Sequence, residues 1–106
     1  MYQTMSAKEY LENTAARLNA SEIGDVNTTL HFDFGGTNYS MHVADGKANL
    51  EEGLVGNAEC VIKADADDFV KIATGDMNPM MAMMMGKLKL SNPGAMMKYA
   101  KMLGLM

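Results

Sequence analysis

Asp45-Gly46 stands between two segments whose apolar residues match across it, and this feature constrains the chain more than any other. Asp-Gly favours a two-residue hairpin, because the turn needs positive φ values that these residues tolerate. Pairing across it sets Val43 opposite Ala48 and Met41 opposite Leu50. A second turn, Gly35-Gly36-Thr37-Asn38, comes just before. Centring a hairpin there predicts Phe34 opposite Tyr39, Phe32 opposite Met41, and Leu30 opposite Val43. Apolar residues then meet on one face of both hairpins, because side chains alternate along a strand. The same register sets His31 opposite His42 on the polar face. Glu59 to Lys63 reads as a fourth strand, with Cys60 and Ile62 on one side, and Leu88 and Leu90 mark a fifth.

A sheet with one greasy face needs a cover. Ser6-Ala7-Lys8-Glu9 is a capping box, and the helix it opens presents Leu11, Ala15 and Leu18 before ending near Asn19 to Ser21. Asp65, Asp67 and Asp68 crowd the first turn of a second helix, where carboxylates complement unpaired backbone N–H groups. Phe69, Ile72 and Ala73 share its inner face, and Gly75 is a left-handed stop. Asn78-Pro79 caps a third helix. Met80 to Met85, interrupted only by Ala82, is apolar on every side, which predicts burial. Gly86 ends it. Asn92-Pro93 starts a last helix, predicted to reach Leu103 with Met96, Met97, Ala100 and Leu103 as its stripe. These elements predict one α+β domain over 1–106. It has two layers: a five-stranded, mostly antiparallel sheet with helices on one face and water on the other.

Composition narrows the function. A hydrophobic fraction of 48% in 106 residues supports one core and excludes disorder. A net charge of −4 argues against a nucleic-acid partner. The single Cys60 allows no internal disulfide. Neither a signal-peptide pattern nor a peroxisomal address is visible, and the longest apolar run is far too short to span a bilayer. The expected location is cytoplasmic.

Of 13 methionines, ten lie from Met77 onward. Methionine is unbranched and polarisable, so it either fills irregular space or closes around ligands of varied shape. Three uses compete: an ordinary core, an apolar cavity, or an adaptable surface. Thioethers also suit Cu(I), although extracytoplasmic copper chaperones usually expose such clusters. His31 and His42, with Asp33 near, could hold a surface metal only if a third ligand joined them. Cys60 has buried-strand parity, where a thiol is inert. Neither a nucleophile–base pair nor a phosphate-cradling glycine loop appears, so no enzyme and no cofactor are expected.

One pattern is more specific: an acidic turn leading into Phe over Asp65 to Phe69, then Ile72, Gly75, Met77-Asn78-Pro79, Ala82 and Gly86-Lys87-Leu88-Lys89-Leu90. It resembles the lipid-transfer domain of the sterol carrier protein type 2 family, and the order of the flanking elements fits nearly the whole chain. Two departures stand out. Met83 and Met84 replace the usual aromatics, and Ser91-Asn92-Pro93-Gly94 replaces the usual Gly-Asn turn.

The resemblance implies non-catalytic binding or transfer of a fatty acid, fatty acyl-CoA or similar lipid in a tunnel between sheet and C-terminal helices. The expected lining is Phe32, Phe34, Met41, Phe69, Ile72, Met80, Met81, Met83, Met84, Met97 and Leu103. Helix 93–103 would act as the lid. Lys87 and Lys89 are the candidate head-group residues, and they could also meet an anionic membrane. A lipid-metabolising enzyme is a further transient partner. A chain of about 16 carbons gains on the order of 10 kcal/mol gross on burial, less association costs. The alternative is a protein-interaction or dimerisation module with a Met-rich surface and no ligand.

Overall fold

Ser6 and Glu9 cap each other: Glu9 N–H donates to Ser6 Oγ at 3.1 Å, and Ser6 N–H donates to Glu9 Oε1 at 3.3 Å. They open the first helix of the computed structural model, which describes residues 6–19 and 26–99. This helix, α1 (Ala7–Asn19), buries Leu11, Ala15 and Leu18 as its spacing predicts. Its last residue has a second use. The Asn19 side-chain amide exchanges two 2.8 Å hydrogen bonds with the backbone of Ala48, tying α1 to an edge strand whose outer polar groups would otherwise be unpaired.

The strands are β1 (Thr28–Asp33), β2 (Asn38–Ala44), β3 (Lys47–Glu52), β4 (Cys60–Ala64) and β5 (Leu88–Leu90), in the sheet order β3-β2-β1-β4-β5. Only the β1–β4 pair is parallel. The Asp45-Gly46 hairpin has the expected register, Val43 with Ala48 and Met41 with Leu50, and both turn residues have positive φ.

The first hairpin differs. Leu30 pairs with Met41 and Phe32 with Tyr39, two residues away from the expected register. The reason is the turn: Phe34 N–H donates to Thr37 O, so the connection occupies 34–37 and Phe34 has left the strand. A shift of two keeps every side chain on its face. It also separates the histidines. His31 pairs with Ser40, and His42 with Thr29.

The second correction concerns the polar face, expected to meet water. Residues 53–59 must carry the chain from the β3 edge to β4 and therefore pass over β2 and β1. Ser40 Oγ donates to Gly53 O at 2.6 Å and accepts from Val55 N–H at 2.8 Å, while His31 Nε2 lies 3.0 Å from Val55 O. Both Ser40 and His31 are buried beneath this crossing.

On the other face lies the core. Phe69, on α2 (Ala66–Ala73), stands edge-on to Phe32 and Tyr10 at 5.6 and 5.8 Å between centroids, with Phe34 at 5.2 Å. Asp65 caps α2 by accepting from Asp67 N–H, and Gly75 takes the left-handed conformation after it. Then come α3 (Pro79–Met84) and α4 (Pro93–Tyr99). The expected continuation of α4 to Leu103 lies outside the described residues.

The third correction is α3. Its all-round apolar surface predicts a buried helix, yet only Ala82 is buried. Met80, Met81, Met84 and Met85 are exposed by 59 to 86%. The helix is short and, among the described elements, packs chiefly beside the three-residue edge strand β5.

Candidate functional site

Beyond the aromatic core, five elements fail to close over the edge of the sheet. β4 and β5 supply Ile62, Leu88 and Leu90; α2 supplies Phe69 and Ile72; α3 supplies Pro79, Met80 and Met83; α4 supplies Met96 and Met97. They enclose an apolar cavity of about 260 Å³. Phe69, Ile72 and Met96 are buried, whereas Met80 and Met97 are more than 70% exposed and stand at the rim. All ten described lining residues are apolar, so this wall can exclude water from a hydrocarbon, and none of the ten is an acid or a base.

Local chemistry holds each wall. Asn78 caps α3, its side-chain oxygen accepting from Met80 N–H at 2.8 Å and Met81 N–H at 3.3 Å. Pro79 follows at the first helical position. Beyond Gly86, the Lys87 N–H donates back to Ala82 O at 2.8 Å. The α4 wall is fastened from several directions. Asn92 caps it through Ala95 N–H and donates to Glu59 O, while Tyr99 OH donates to Glu59 Oε1. Thr28 also donates to that oxygen at 2.7 Å. These two hydroxyl donors, Thr28 first, lower the Glu59 pKa below its usual value, with a smaller contribution from Lys98.

Of the residues expected to line a tunnel, Phe69, Ile72, Met80, Met83 and Met97 come together at this cavity. Phe32, Phe34 and Met41 do not: they are buried in the aromatic core, already covered by α1 and α2. Met81 and Met84 point away into solvent, and Leu103 lies outside the described residues. Ile62, Pro79, Leu88, Leu90 and Met96 line the cavity without having been singled out. Strand parity carried a signal for three of them, since Ile62, Leu88 and Leu90 all have apolar-face parity.

Lys87 and Lys89 lie in a neighbouring open depression of about 510 Å³ with Lys63, Asp33, Asp65 and Asp68. Three carboxylates there balance three ammonium groups. His42 lies 3.1 Å from both Thr29 Oγ1 and Glu51 Oε2, away from His31. No cluster of three His, Cys, Asp or Glu residues able to hold a metal occurs among the described residues. Cys60 is fully buried in β4. None of the helices described is long and apolar enough to cross a membrane.

Together these elements make a small two-layer α+β domain with an apolar cavity at one edge of its sheet. The chain belongs to the SCP-2 sterol transfer family, whose sequence profile matches residues 2–104. It is 38% identical over 71 residues to hydroxysteroid dehydrogenase-like protein 2 of Xenopus tropicalis, a match covering 65% of this chain and 17% of that protein. The chain thus spans about a sixth of that curated relative.

Among solved structures, the fold is similar to Sterol Carrier Protein-2 from Aedes aegypti in complex with palmitate. That likeness has a TM-score of 0.74 at 20% identity and covers 98% of this chain and 99% of that one. It is also similar to part of the inverting sec-alkylsulfatase Pisa1 from Pseudomonas sp., with a TM-score of 0.75 at 20% identity, covering 96% of this chain and 16% of the sulfatase. The same fold therefore occurs both alone and as one part of a larger enzyme.

Proposed function

We propose that this domain binds and carries a single fatty acid, fatty acyl-CoA or similar lipid, with the apolar chain in the cavity between α2, α3, α4 and the β4–β5 edge. The observation that carries this reading is that all ten described wall residues are apolar. The cavity of about 260 Å³ falls just below the usual range for small-molecule sites, roughly 300–1,000 Å³. A long acyl chain therefore enters by displacing the walls. The side chains to be moved are Met80, Met83 and Met97, which are flexible at χ1 to χ3 and already partly in solvent.

Carrying the lipid requires no bond to be made or broken. Lys89, between Leu88 and Leu90 in β5, and Lys87 before it offer cations for a carboxylate or phosphate head group, or for an anionic membrane. A lipid-metabolising enzyme is the corresponding protein partner, and the cytoplasm the place of action. The palmitate complex of the Aedes protein supports the ligand class.

Displacement of a fluorescent fatty acid by palmitate, with mass spectrometry of lipid extracted from the purified protein, tests the reading. Displacement at micromolar protein is expected. Absence of both displacement and extracted lipid would refute it. One observation favours a second reading: Met81, Met84 and Met85 lie outside the cavity and are 59, 86 and 62% exposed. An interaction module would use them to bind a protein or a second copy. Sedimentation showing a dimer, disrupted by Met84→Glu, with no lipid displacement, would select that reading.

A further inference from the structure

Four of the ten residues in the cavity wall are methionines: Met80, Met83, Met96 and Met97. Among the described wall residues, whose side chains are otherwise hydrocarbon, their thioether sulfurs are the nucleophilic atoms. Peroxides oxidise thioethers to sulfoxides without a metal or cofactor. In an oxidised unsaturated acyl chain, the hydroperoxide group sits in mid-chain. A chain bound in this cavity carries that group to the wall, away from the head-group end.

We propose that the cavity accepts fatty-acid hydroperoxides and reduces them to the corresponding hydroxy acids, using Met80, Met83, Met96 or Met97 as a sacrificial reductant. The inference rests on the acyl-chain reading given above. A thioether electron pair attacks the outer peroxide oxygen, and the O–O bond breaks. The inner oxygen leaves as an alkoxide and takes up the proton that the outer oxygen carried. The sulfur loses two electrons and becomes a sulfoxide; the hydroperoxide gains them and becomes an alcohol. Holding both reactants together turns a bimolecular collision into an effectively unimolecular step. Each sulfoxide is polar, so it weakens the apolar wall around the product. A methionine sulfoxide reductase, drawing on thiols, would reset the site.

The exposures make the test selective. Met84, outside the cavity, is 86% exposed; Met83 is 39% and Met96 5% exposed. The intact protein is treated in parallel with hydrogen peroxide and with linoleic acid hydroperoxide. Sulfoxides are located by fragmentation mass spectrometry, and the hydroxy acid is quantified. Hydrogen peroxide should oxidise in order of exposure, with Met84 early and Met96 late. The lipid hydroperoxide should instead oxidise Met83 and Met96, the less exposed cavity methionines, ahead of Met84 and Met85, with hydroxy acid and sulfoxide formed in equal amounts. Met84→Leu should leave the yield of hydroxy acid unchanged.

The same exposure-ranked order with both oxidants, or hydroxy acid without sulfoxide, would overturn the inference. Displacement of a fluorescent fatty acid by linoleic acid separates the two levels. If linoleic acid binds and the order stays exposure-ranked, only the reduction is refuted. If linoleic acid does not bind, the acyl-chain reading falls, and the reduction with it.

Discussion

The hydroxyl of Tyr99 donates a 2.9 Å hydrogen bond to the carboxylate of Glu59, forty residues earlier, and so fastens α4 to the sheet beside the cavity. Thr28 donates to the same oxygen, so one carboxylate joins β1, the start of β4 and α4.

These hydroxyl donors favour ionised Glu59 and lower its pKa in the folded state. A carboxyl depressed by folding stabilises the fold above its unfolded pKa, and that contribution is lost as pH falls through the folded value. The stabilisation should therefore be complete above the ordinary glutamate range of roughly pH 4–5 and disappear below it. Thermal unfolding of the wild type and Glu59→Gln from pH ~7 to ~3 checks this, the range spanning the glutamate titration. The gap in Tm should be constant at the upper end and close at the lower end. A gap independent of pH would contradict it.

Asn78→Ala removes the acceptor for two N–H groups at the start of α3. Loss of an N-cap costs about 1 kcal/mol. Because α3 carries Met80 and Met83, urea unfolding should show that modest loss while fatty-acid affinity falls more than stability alone explains.

Phe69→Ala should be severe. The ring is buried against Tyr10, Phe32 and Phe34 and forms part of the cavity wall. Large-to-small changes of this kind cost about 3–5 kcal/mol. Chemical denaturation should show a loss of that order, with no gain in lipid capacity to offset it.

Ser40→Ala tests the crossing over the polar face. Its hydroxyl is fully buried and serves Gly53 O and Val55 N–H. Leaving such groups unpaired costs roughly 1–3 kcal/mol. Hydrogen exchange at Val55 should accelerate, while fatty-acid binding, on the opposite face, should not change.

Much of the architecture was legible because local rules and strand parity agreed. The Ser6–Glu9 box, the Asn78-Pro79 cap and the Asp45-Gly46 hairpin all appear where residue chemistry puts them. The first hairpin kept its faces but not its partners, since Gly35-Gly36 does not itself specify how many residues the turn takes. The site was harder to read. Phe32, Met41 and Ile62 share a face in sequence terms, and all are fully buried. Only Ile62 lies under the uncovered edge, because α1 and α2 fill the space above the other two. Which strand residue meets a helix and which meets a cavity is a property of tertiary packing. The exposure of α3 was illegible for a similar reason: hydropathy reports that Met80 to Met85 are greasy, not that the helix stands at the end of the sheet.

The most direct measurement is methyl NMR of the protein titrated with palmitate and with a spin-labelled fatty acid. The account predicts shifts and paramagnetic broadening centred on Ile62, Ile72, Met80, Met83, Leu88, Leu90, Met96 and Met97, with Leu11 and Val43 in the covered core unaffected. Binding that left the cavity methyls unperturbed, or no binding at all, would contradict it.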